Sequence, residues 1–216
     1  HVSDSTAFEE NLAYRDGGAM FLGVSTRAKL VDAQFKGNAV ECPTKSYGQT
    51  VCPEWQNSVV GVQGALDAFC IHPSCKSYMG SGGAVYVAEA GSVLLRRTDM
   101  ALNTATRGGG MFVLDTLRLE ILENSSFTNN SCRRPFALVN SPTFTAGGGA
   151  LYFDLTQYVQ LDERPLISAT RFWDNKVLEG SGGAIFWKVA HTMIPVAKAA
   201  GGMLAFGANY DAMSPG

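Results

Sequence analysis

The sequence predicts an all-β protein, a parallel β-helix or solenoid of about six coils, because two short signatures alternate along it. The opening signature is a glycine pair that leads into an apolar run, as in Gly148 and Gly149 before Leu151. The closing signature is Phe-x-x-Asn, as in Phe127 to Asn130. Short β-rich runs and glycine corners accompany both, without helical periodicity, so each pair of signatures indicates one coil.

The glycine pairs are the corners at which we expect each coil to open. Glycine tolerates positive φ, and its lack of a Cβ atom allows two backbones to approach closely. The coil-opening glycines are Gly17, Gly18, Gly82, Gly83, Gly108, Gly109, Gly148, Gly149, Gly182 and Gly183.

An aromatic residue follows four positions after the first glycine of every pair. These residues are Phe21, Tyr86, Phe112, Tyr152 and Phe186. Because three apolar residues are consecutive here, alternation alone does not decide which of them face the core. We expect the residues before the aromatics to face inward and the aromatics themselves to be partly exposed. The expected inward residues are Met20, Val85, Met111, Leu151 and Ile185.

The closing asparagines are expected to form a hydrogen-bonded ladder. An Asn at a corner can adopt a left-handed backbone conformation, and its amide can bond the equivalent Asn one coil away. Each such bond contributes roughly 1 kcal/mol net, so replacing one rung by Ala should destabilise the protein. The expected rungs are Asn11, Asn38, Asn103, Asn130, Asn175 and Asn209.

Two further columns of like residues support stacking in register, which brings strands of neighbouring coils to about 4.8 Å. Five positions before the closing Phe or Met lie Leu30, Leu95, Leu122 and Ile167. Two positions before it, small side chains dominate: Thr6, Ala33, Thr98, Ser125 and Thr170, with Leu204 as the exception. The closing residue itself recurs 27 positions apart, from Phe8 to Phe35 and again from Met100 to Phe127.

The repeat favours one elongated body, residues 1–216, cut from a longer protein, over two globular domains. Loop insertions interrupt it at 39–81 and at 131–146. The first insertion carries Trp55, the best single candidate for a contact residue, although a small core under the loop would explain it equally well.

The cysteines indicate an oxidising, extracellular compartment. Four of the five lie in the first insertion, and their spacing lacks the tight two-residue knuckle of common zinc sites, so disulfides are favoured over metal. The candidate disulfide cysteines are Cys42, Cys52, Cys70, Cys75 and Cys132. The odd Cys132 would pair with one of the other four, bond outside this segment, or stay free.

Composition restricts the partners. The chain has 17 basic and 19 acidic residues and a net charge of -2, with no run of either sign, so nucleic acid and anionic membranes are poor candidates. Apolar residues make up 46% of the chain, which is ample for a packed core. Lys188, His191, Pro195 and Lys198 interrupt the apolar segment 188–208, so no membrane span is expected.

Repeated GGA before Ile, Leu, Val or Met, alternating with FxxN, resembles the repeat of the polymorphic outer membrane proteins, the chlamydial surface autotransporters. Similar repeats are found in large extracellular proteins of algae and protists. The resemblance covers nearly the whole chain apart from the insertions, with Gly110 and Met100 as departures. It implies a right-handed parallel β-helix, exposed on a cell surface or secreted, that serves adhesion or surface architecture.

The same architecture also houses polysaccharide-active enzymes such as pectate lyases, so fold alone does not decide function. A hydrolase needs clustered carboxylates on one face. Asp115 and Asp154 come closest but lie at different distances from their glycines, while Glu89 shares the position of Asp115 one coil earlier. No catalytic, cofactor or metal site is indicated. We expect a non-enzymatic protein, with the polysaccharide-active enzyme as the alternative.

Surface features favour binding. We expect contacts with other extracellular or surface proteins or with glycans, and self-association into a larger assembly. The sequons at Asn124 and Asn129 would carry glycans if the protein enters a eukaryotic secretory route, and would then mark an exposed face.

Overall fold

The computed structural model describes residues 2, 5–13, 16–40, 80–116, 118–133, 146–155, 165–178, 180–189, 205–206 and 210–212. All regular elements in these ranges are β-strands, and the described residues include no helix that is long and apolar enough to cross a membrane. The predictions for Trp55, for Cys42, Cys52, Cys70 and Cys75, and for Asn209 lie outside the described residues.

The strands form four parallel sheets, called A to D here. Sheet A contains β4 (Arg27–Val31), β8 (Ser92–Arg96), β12 (Leu119–Leu122) and β16 (Leu166–Ile167). Sheet B contains β1 (Ala7–Glu9), β5 (Gln34–Lys36), β9 (Asp99–Ala101), β13 (Ser126–Thr128), β17 (Arg171–Trp173) and β20 (Ala205–Phe206). Sheet C contains β2 (Leu12–Ala13), β6 (Ala39–Val40), β10 (Thr104–Ala105), β14 (Ser131–Arg133), β18 (Lys176–Leu178) and β21 (Tyr210–Ala212). Sheet D contains β3 (Met20–Leu22), β7 (Val85–Ala88), β11 (Met111–Leu114), β15 (Leu151–Leu155) and β19 (Ile185–Val189).

The chain visits the sheets in a fixed order. From β1 onward it passes through sheet B, then C, then D, then A, and it returns to sheet B one position further along. Each strand therefore pairs with the strand of the same sheet in the next turn of the chain rather than with its neighbour in sequence. This arrangement of stacked parallel sheets confirms the predicted class, an all-β solenoid of the β-helix type.

The core lies between the sheets and is built from columns of like residues. In sheet B the closing residues pair in register, Phe35 with Met100 and Phe127 with Phe172, and all four are fully buried. The rings of Phe127 and Phe172 stack with their centroids 5.1 Å apart. The repeat in the sequence thus sets the strand register of sheet B, because each coil places its closing residue opposite the closing residue of the preceding coil.

The leucine column predicted in sheet A was wrong at one position. The inward residue that pairs with Leu95 and Ile167 is Ile121, which is fully buried, and Leu122 is only partly buried. Counting back from Phe127 selected Leu122 because this coil holds one extra residue, Asn124, between the two sheets. A one-residue slip in a strand moves every side chain to the other face.

The aromatic column of sheet D was only partly predicted. Met111 and its neighbours in register face the main core, as expected, and the aromatics lie on the opposite face. However, Tyr86, Phe112 and Tyr152 are 7%, 3% and 1% exposed, so the prediction of partial exposure was wrong for these three. Phe21, in the first turn, is 58% exposed. Both faces of the middle strands of sheet D are therefore buried.

Candidate functional site

The closing asparagines lie one above another at the corner between sheets B and C. Four hydrogen bonds of 2.8–3.0 Å run from the Nδ2 of one asparagine to the Oδ1 of the next. They link Asn11, Asn38, Asn103, Asn130 and Asn175 in sequence. The last four are fully buried.

Each middle rung uses the whole bonding capacity of its amide. The Oδ1 of Asn130 accepts from the backbone N and the Nδ2 of Asn103, and its own Nδ2 donates to the Oδ1 of Asn175 and to the carbonyl of Met100. A primary amide has two donor hydrogens and two acceptor lone pairs, so no capacity is left over. These side chains hold the corner together and are not available to a ligand.

The left-handed residue at this corner is the one before each rung, not the asparagine itself. Leu102, Asn129 and Asp174 have φ of 59°, 54° and 52°, whereas the rungs have negative φ. The expectation of a left-handed Asn was therefore wrong. The residue before each asparagine makes the turn between sheets B and C, and its side chain points outward. The asparagine side chain can therefore point into the stack.

The two glycines of each opening pair differ in what they do. The first has positive φ, as at Gly108 with 59° and Gly148 with 63°. The second packs against the next coil: a Cβ atom on Gly109 would lie 2.3 Å from the carbonyl oxygen of Gly149 and 2.5 Å from that of Ser131. One glycine turns the chain and the other permits close contact between coils.

A second polar ladder, which the sequence reasoning missed, runs inside the corner between sheets A and B. The Oγ1 of Thr98 donates to the carbonyl of Leu30, and the backbone N of Thr98 donates to the Oγ of Ser125 at 3.2 Å. Thr170 bonds the carbonyl of Ile121 in the same way. The column of small residues signalled this position, but its hydroxyl chemistry was not used.

A charged ladder lies outside the same corner and was also missed. Arg97 donates from Nε and Nη2 to the two carboxylate oxygens of Asp32, at 2.7 and 2.9 Å, and from Nη1 to Glu123 at 2.8 Å. Arg96 makes a further ion pair with Glu123. The hydrogen bond from Arg97 lowers the pKa of Asp32 from its ordinary value of 3.8, and the same contact raises the pKa of Arg97.

The carboxylates considered for catalysis lie in different environments. Glu89 is exposed at a corner, and Asp115 is buried at the equivalent corner one coil later. Asp154 lies within β15 and accepts a hydrogen bond from Lys188 at 2.9 Å. In the register of β11 and β15 it pairs with Leu114 and not with Asp115. The described residues contain no group of three His, Cys, Asp or Glu side chains placed to hold a metal ion.

The outer face of sheet D carries a stack of rings. Tyr86, Phe112 and Tyr152 follow one another with centroids 5.1–5.2 Å apart. The guanidinium of Arg107 lies 5.9 Å from the centroid of the Tyr152 ring. Burial raises the pKa of Tyr152 to about 12, against the opposing charge of Arg107. The phenol therefore stays neutral at physiological pH.

Cys132 lies in β14 of sheet C and has a free thiol among the described residues. The other four cysteines lie outside those residues, so the three possibilities for Cys132 stay predictions. Cys132 is fully buried, and its Sγ lies 3.2 Å from the carbonyl oxygens of Gly147 and Gly148. Burial raises the pKa of the thiol to about 12, so the nucleophilic thiolate is not populated.

Both sequon asparagines are exposed and have positive φ, 61° at Asn124 and 54° at Asn129. Asn124 also lines a groove of about 540 Å³ on the outer surface, together with Asp99, Ser126, Arg171 and their neighbours Ser125, Ala169 and Thr170. The charged ladder and this groove adjoin one another at the corner between sheets A and B. This corner therefore carries both charged and uncharged polar side chains on its outer surface.

One closing signature, Phe127 to Asn130 at the end of β13 in sheet B, is followed along the chain by an opening signature, Gly148 to Phe153, that leads into sheet D. Residues 124–154 match the Chlamydia polymorphic membrane protein (Chlamydia_PMP) repeat. The matched segment spans both signatures and the insertion between them, which confirms the resemblance for this part of the chain. Comparison with curated proteins and with solved structures gave no match.

Proposed function

We propose that this chain is a non-enzymatic segment of a cell-surface or secreted protein, a rigid solenoid whose outer corners and loops contact other proteins or glycans. The observation that carries the proposal is the use of the inward polar columns for structure. The asparagine ladder and the hydroxyl ladder consume their donors and acceptors within the stack. Such a wall is stable without a bound ligand, and its outer face is left for contacts.

The match to a polymorphic membrane protein repeat supports the location. Surface proteins of that kind present repeats to the outside of the cell, and the described face of sheet B alternates buried with exposed residues, as a solvated outer wall requires. The expected partners are other extracellular or surface proteins, glycans, and further copies that assemble into a coat or fibre.

The proposal includes finer structural features. About six coils wind in a right-handed sense, because crossover connections between parallel strands are right-handed in roughly 98% of cases. The insertions at 39–81 and 131–146 leave the one body, 1–216, as loops, and Cys42, Cys52, Cys70 and Cys75 form disulfides. Peptide mapping of the alkylated, non-reduced protein by mass spectrometry would contradict these disulfides if Cys42, Cys52, Cys70 and Cys75 were all found alkylated.

The function is tested by attaching the purified chain to beads and measuring their adhesion to cell layers, alongside release of reducing or unsaturated ends from a polysaccharide panel. Adhesion above that of beads coated with an unrelated protein, without product release, is the expected result. Release that disappears in Glu89→Ala or Asp115→Ala protein would instead make the chain a polysaccharide-active enzyme. If the beads do not adhere and no product is released, the proposal has no support.

A further inference from the structure

The corner between sheets A and B is longer by one residue after Ile121 than in the coils directly before and after it. Leu95 and Ile167 are each followed four positions later by the residue that begins the next strand, Asp99 or Arg171. Their partner in register, Ile121, reaches Ser126 only after five positions. The additional residue is called the bulge here, and it is absent from the two adjacent coils; the first coil, from Val2 to Ala7, has the same longer spacing.

The bulge has an uncommon backbone that the surrounding structure fixes. Glu123 and Asn124 are both left-handed, with φ of 52° and 61°. The corners on either side use one such residue each, Arg97 and Ala169, both with φ of 47°. The backbone N of Asn124 donates to the carbonyl of Ala169 at 2.8 Å, so the bulge is tied to the next coil. Single left-handed residues recur at the other corners of the fold, so the pair of them is what distinguishes this corner.

The floor of the bulge is equally well bonded. The Oγ of Ser125 donates to the carbonyl of Leu122 at 2.7 Å and accepts from the backbone N of Thr98. These contacts belong to the buried hydroxyl ladder, so the groove above them is supported by the core. A preformed site loses less entropy when it binds a ligand than a site that must first be ordered.

The groove that results is polar and has a charge of each sign at its two ends. Asp99 and Arg171 begin the first and third of three adjacent strands, about 10 Å apart along the stack. Ser126 begins the strand between them and donates to Asp99 Oδ1 at 2.7 Å. No described acidic side chain forms an ion pair with Arg171. The volume of about 540 Å³ falls within the usual range for small-ligand sites.

We propose that this groove binds an acidic oligosaccharide that contains uronic acid, an inference that rests on the proposed contact with glycans. Arg171 offers a forked donor that fits a carboxylate in a bidentate manner. Asp99 accepts hydrogen bonds from sugar hydroxyls, and the amide of Asn124 both donates and accepts, which suits neighbouring hydroxyls.

The test measures binding of a galacturonic acid oligomer and of a neutral galactose oligomer of equal length by calorimetry. We expect the wild-type protein to bind the acidic oligomer more tightly. Arg171→Gln and deletion of Asn124 should each weaken that binding at least about tenfold. Lys36→Gln, which removes an exposed charge from the same outer face of sheet B, should leave it unchanged.

Two variants are used because the deletion of Asn124 could disturb folding. Arg171 is exposed, so Arg171→Gln leaves the bulge intact and tests the groove independently. Absence of binding by the wild-type protein, equal binding of the two oligomers, or unchanged binding by Arg171→Gln would each overturn the assignment. If the wild-type protein fails to bind the acidic oligomer while coated beads still adhere to cells, the groove assignment is overturned and the proposed function stands. If beads coated with the wild-type protein do not adhere to cells, the proposed function is contradicted.

Discussion

The Oδ1 atom of Asn130 accepts two hydrogen bonds from Asn103, one from its backbone N at 3.1 Å and one from its Nδ2 at 2.9 Å. Replacing Asn130 by Ala leaves the backbone N–H of Asn103 and one of its two Nδ2 hydrogens without an acceptor. The Oδ1 of Asn175 keeps the hydrogen bond from the backbone N of residue 130, and the Nδ2 of Asn103 keeps its bond to the carbonyl of Phe35. Each unsatisfied buried group costs about 1–3 kcal/mol. We therefore expect Asn130→Ala to lower the free energy of unfolding by about 3 kcal/mol or more, as measured by chemical denaturation.

The adjacent Asn129 provides a matched control. It is exposed and has φ of 54°, so Asn129→Gly keeps the backbone conformation and removes only a solvated side chain. We expect its stability to stay within about 0.5 kcal/mol of the wild type. Equal stability losses in the two variants would show that the ladder is not the source of the effect.

The second glycine of each opening pair should not tolerate a side chain. Gly109→Ala would place a Cβ atom 2.3 Å from the carbonyl oxygen of Gly149, in a wall where the backbone cannot retreat. We expect a loss of about 3 kcal/mol or more in unfolding free energy, or insoluble protein. Gly91→Ala is the control, because the nearest atom to its new Cβ is 3.6 Å away. A soluble Gly109→Ala protein as stable as Gly91→Ala would contradict the close packing of coils.

The ring stack of sheet D can be tested at one buried and one exposed position. Phe112 is 3% exposed, and Phe112→Ala should cost about 3–5 kcal/mol in thermal or chemical unfolding. Phe21 occupies the same column but is 58% exposed, so Phe21→Ala should cost less than about 1 kcal/mol. Similar costs at both positions would show that the outer face of this sheet is not buried as described.

The ion pair between Arg97 and Asp32 should stabilise the fold in a pH-dependent way. Because the pKa of Asp32 is lowered in the folded state, its contribution is complete above the ordinary value of 3.8 and is lost as the pH falls through the lowered folded value. We expect Arg97→Gln to have a lower Tm than the wild type at neutral pH and low salt.

That Tm difference should shrink once the pH falls below 3.8, and also in roughly 1 M salt, where the screening length is about 3 Å. The control is Arg27→Gln, which removes an exposed arginine from β4 without touching this pair. A Tm difference that is independent of both pH and salt would exclude an electrostatic origin.

Cys132 should be inert in the folded protein. Its pKa is raised to about 12 by burial, so at about pH 8 the thiolate is not available to an alkylating reagent. We expect peptide mapping to show no modification of Cys132 in buffer and complete modification in denaturant. Rapid alkylation of Cys132 in native protein would mean that the wall of sheet C opens locally.

Much of this fold could be predicted because its structural residues repeat. Few other residue types can replace glycine at a left-handed corner or asparagine in the ladder. The same residues therefore recur in each coil and make the repeat visible in the sequence. The charged ladder could not be found in this way. Asp32, Arg97 and Glu123 occupy one column, and they are stabilised by alternating charge. No residue type repeats at this position, so a search for repeated residues does not find it.

Two other misses have physical causes. The bulge at Asn124 shifts the register by one residue, so counting from Phe127 chose Leu122 where Ile121 faces the core. The spacing of 26 between Leu95 and Ile121, against 27 between Met100 and Phe127, was the available signal. The burial of Tyr86, Phe112 and Tyr152 could not be predicted, because alternation tells which face a residue lies on but not whether something covers that face.

The rungs of the asparagine ladder are unequally spaced in sequence. Asn38 and Asn103 are 65 residues apart, and Asn130 and Asn175 are 45 apart, yet both pairs are joined by bonds of 3.0 Å. Chain inserted between rungs therefore leaves the contacts of the wall unchanged. Doubling the length of such a loop costs only about 0.6 kcal/mol in closure entropy. Variation in loop length and sequence is thus nearly neutral for folding, and a lineage under immune or ecological pressure can diversify its exterior without rebuilding its interior.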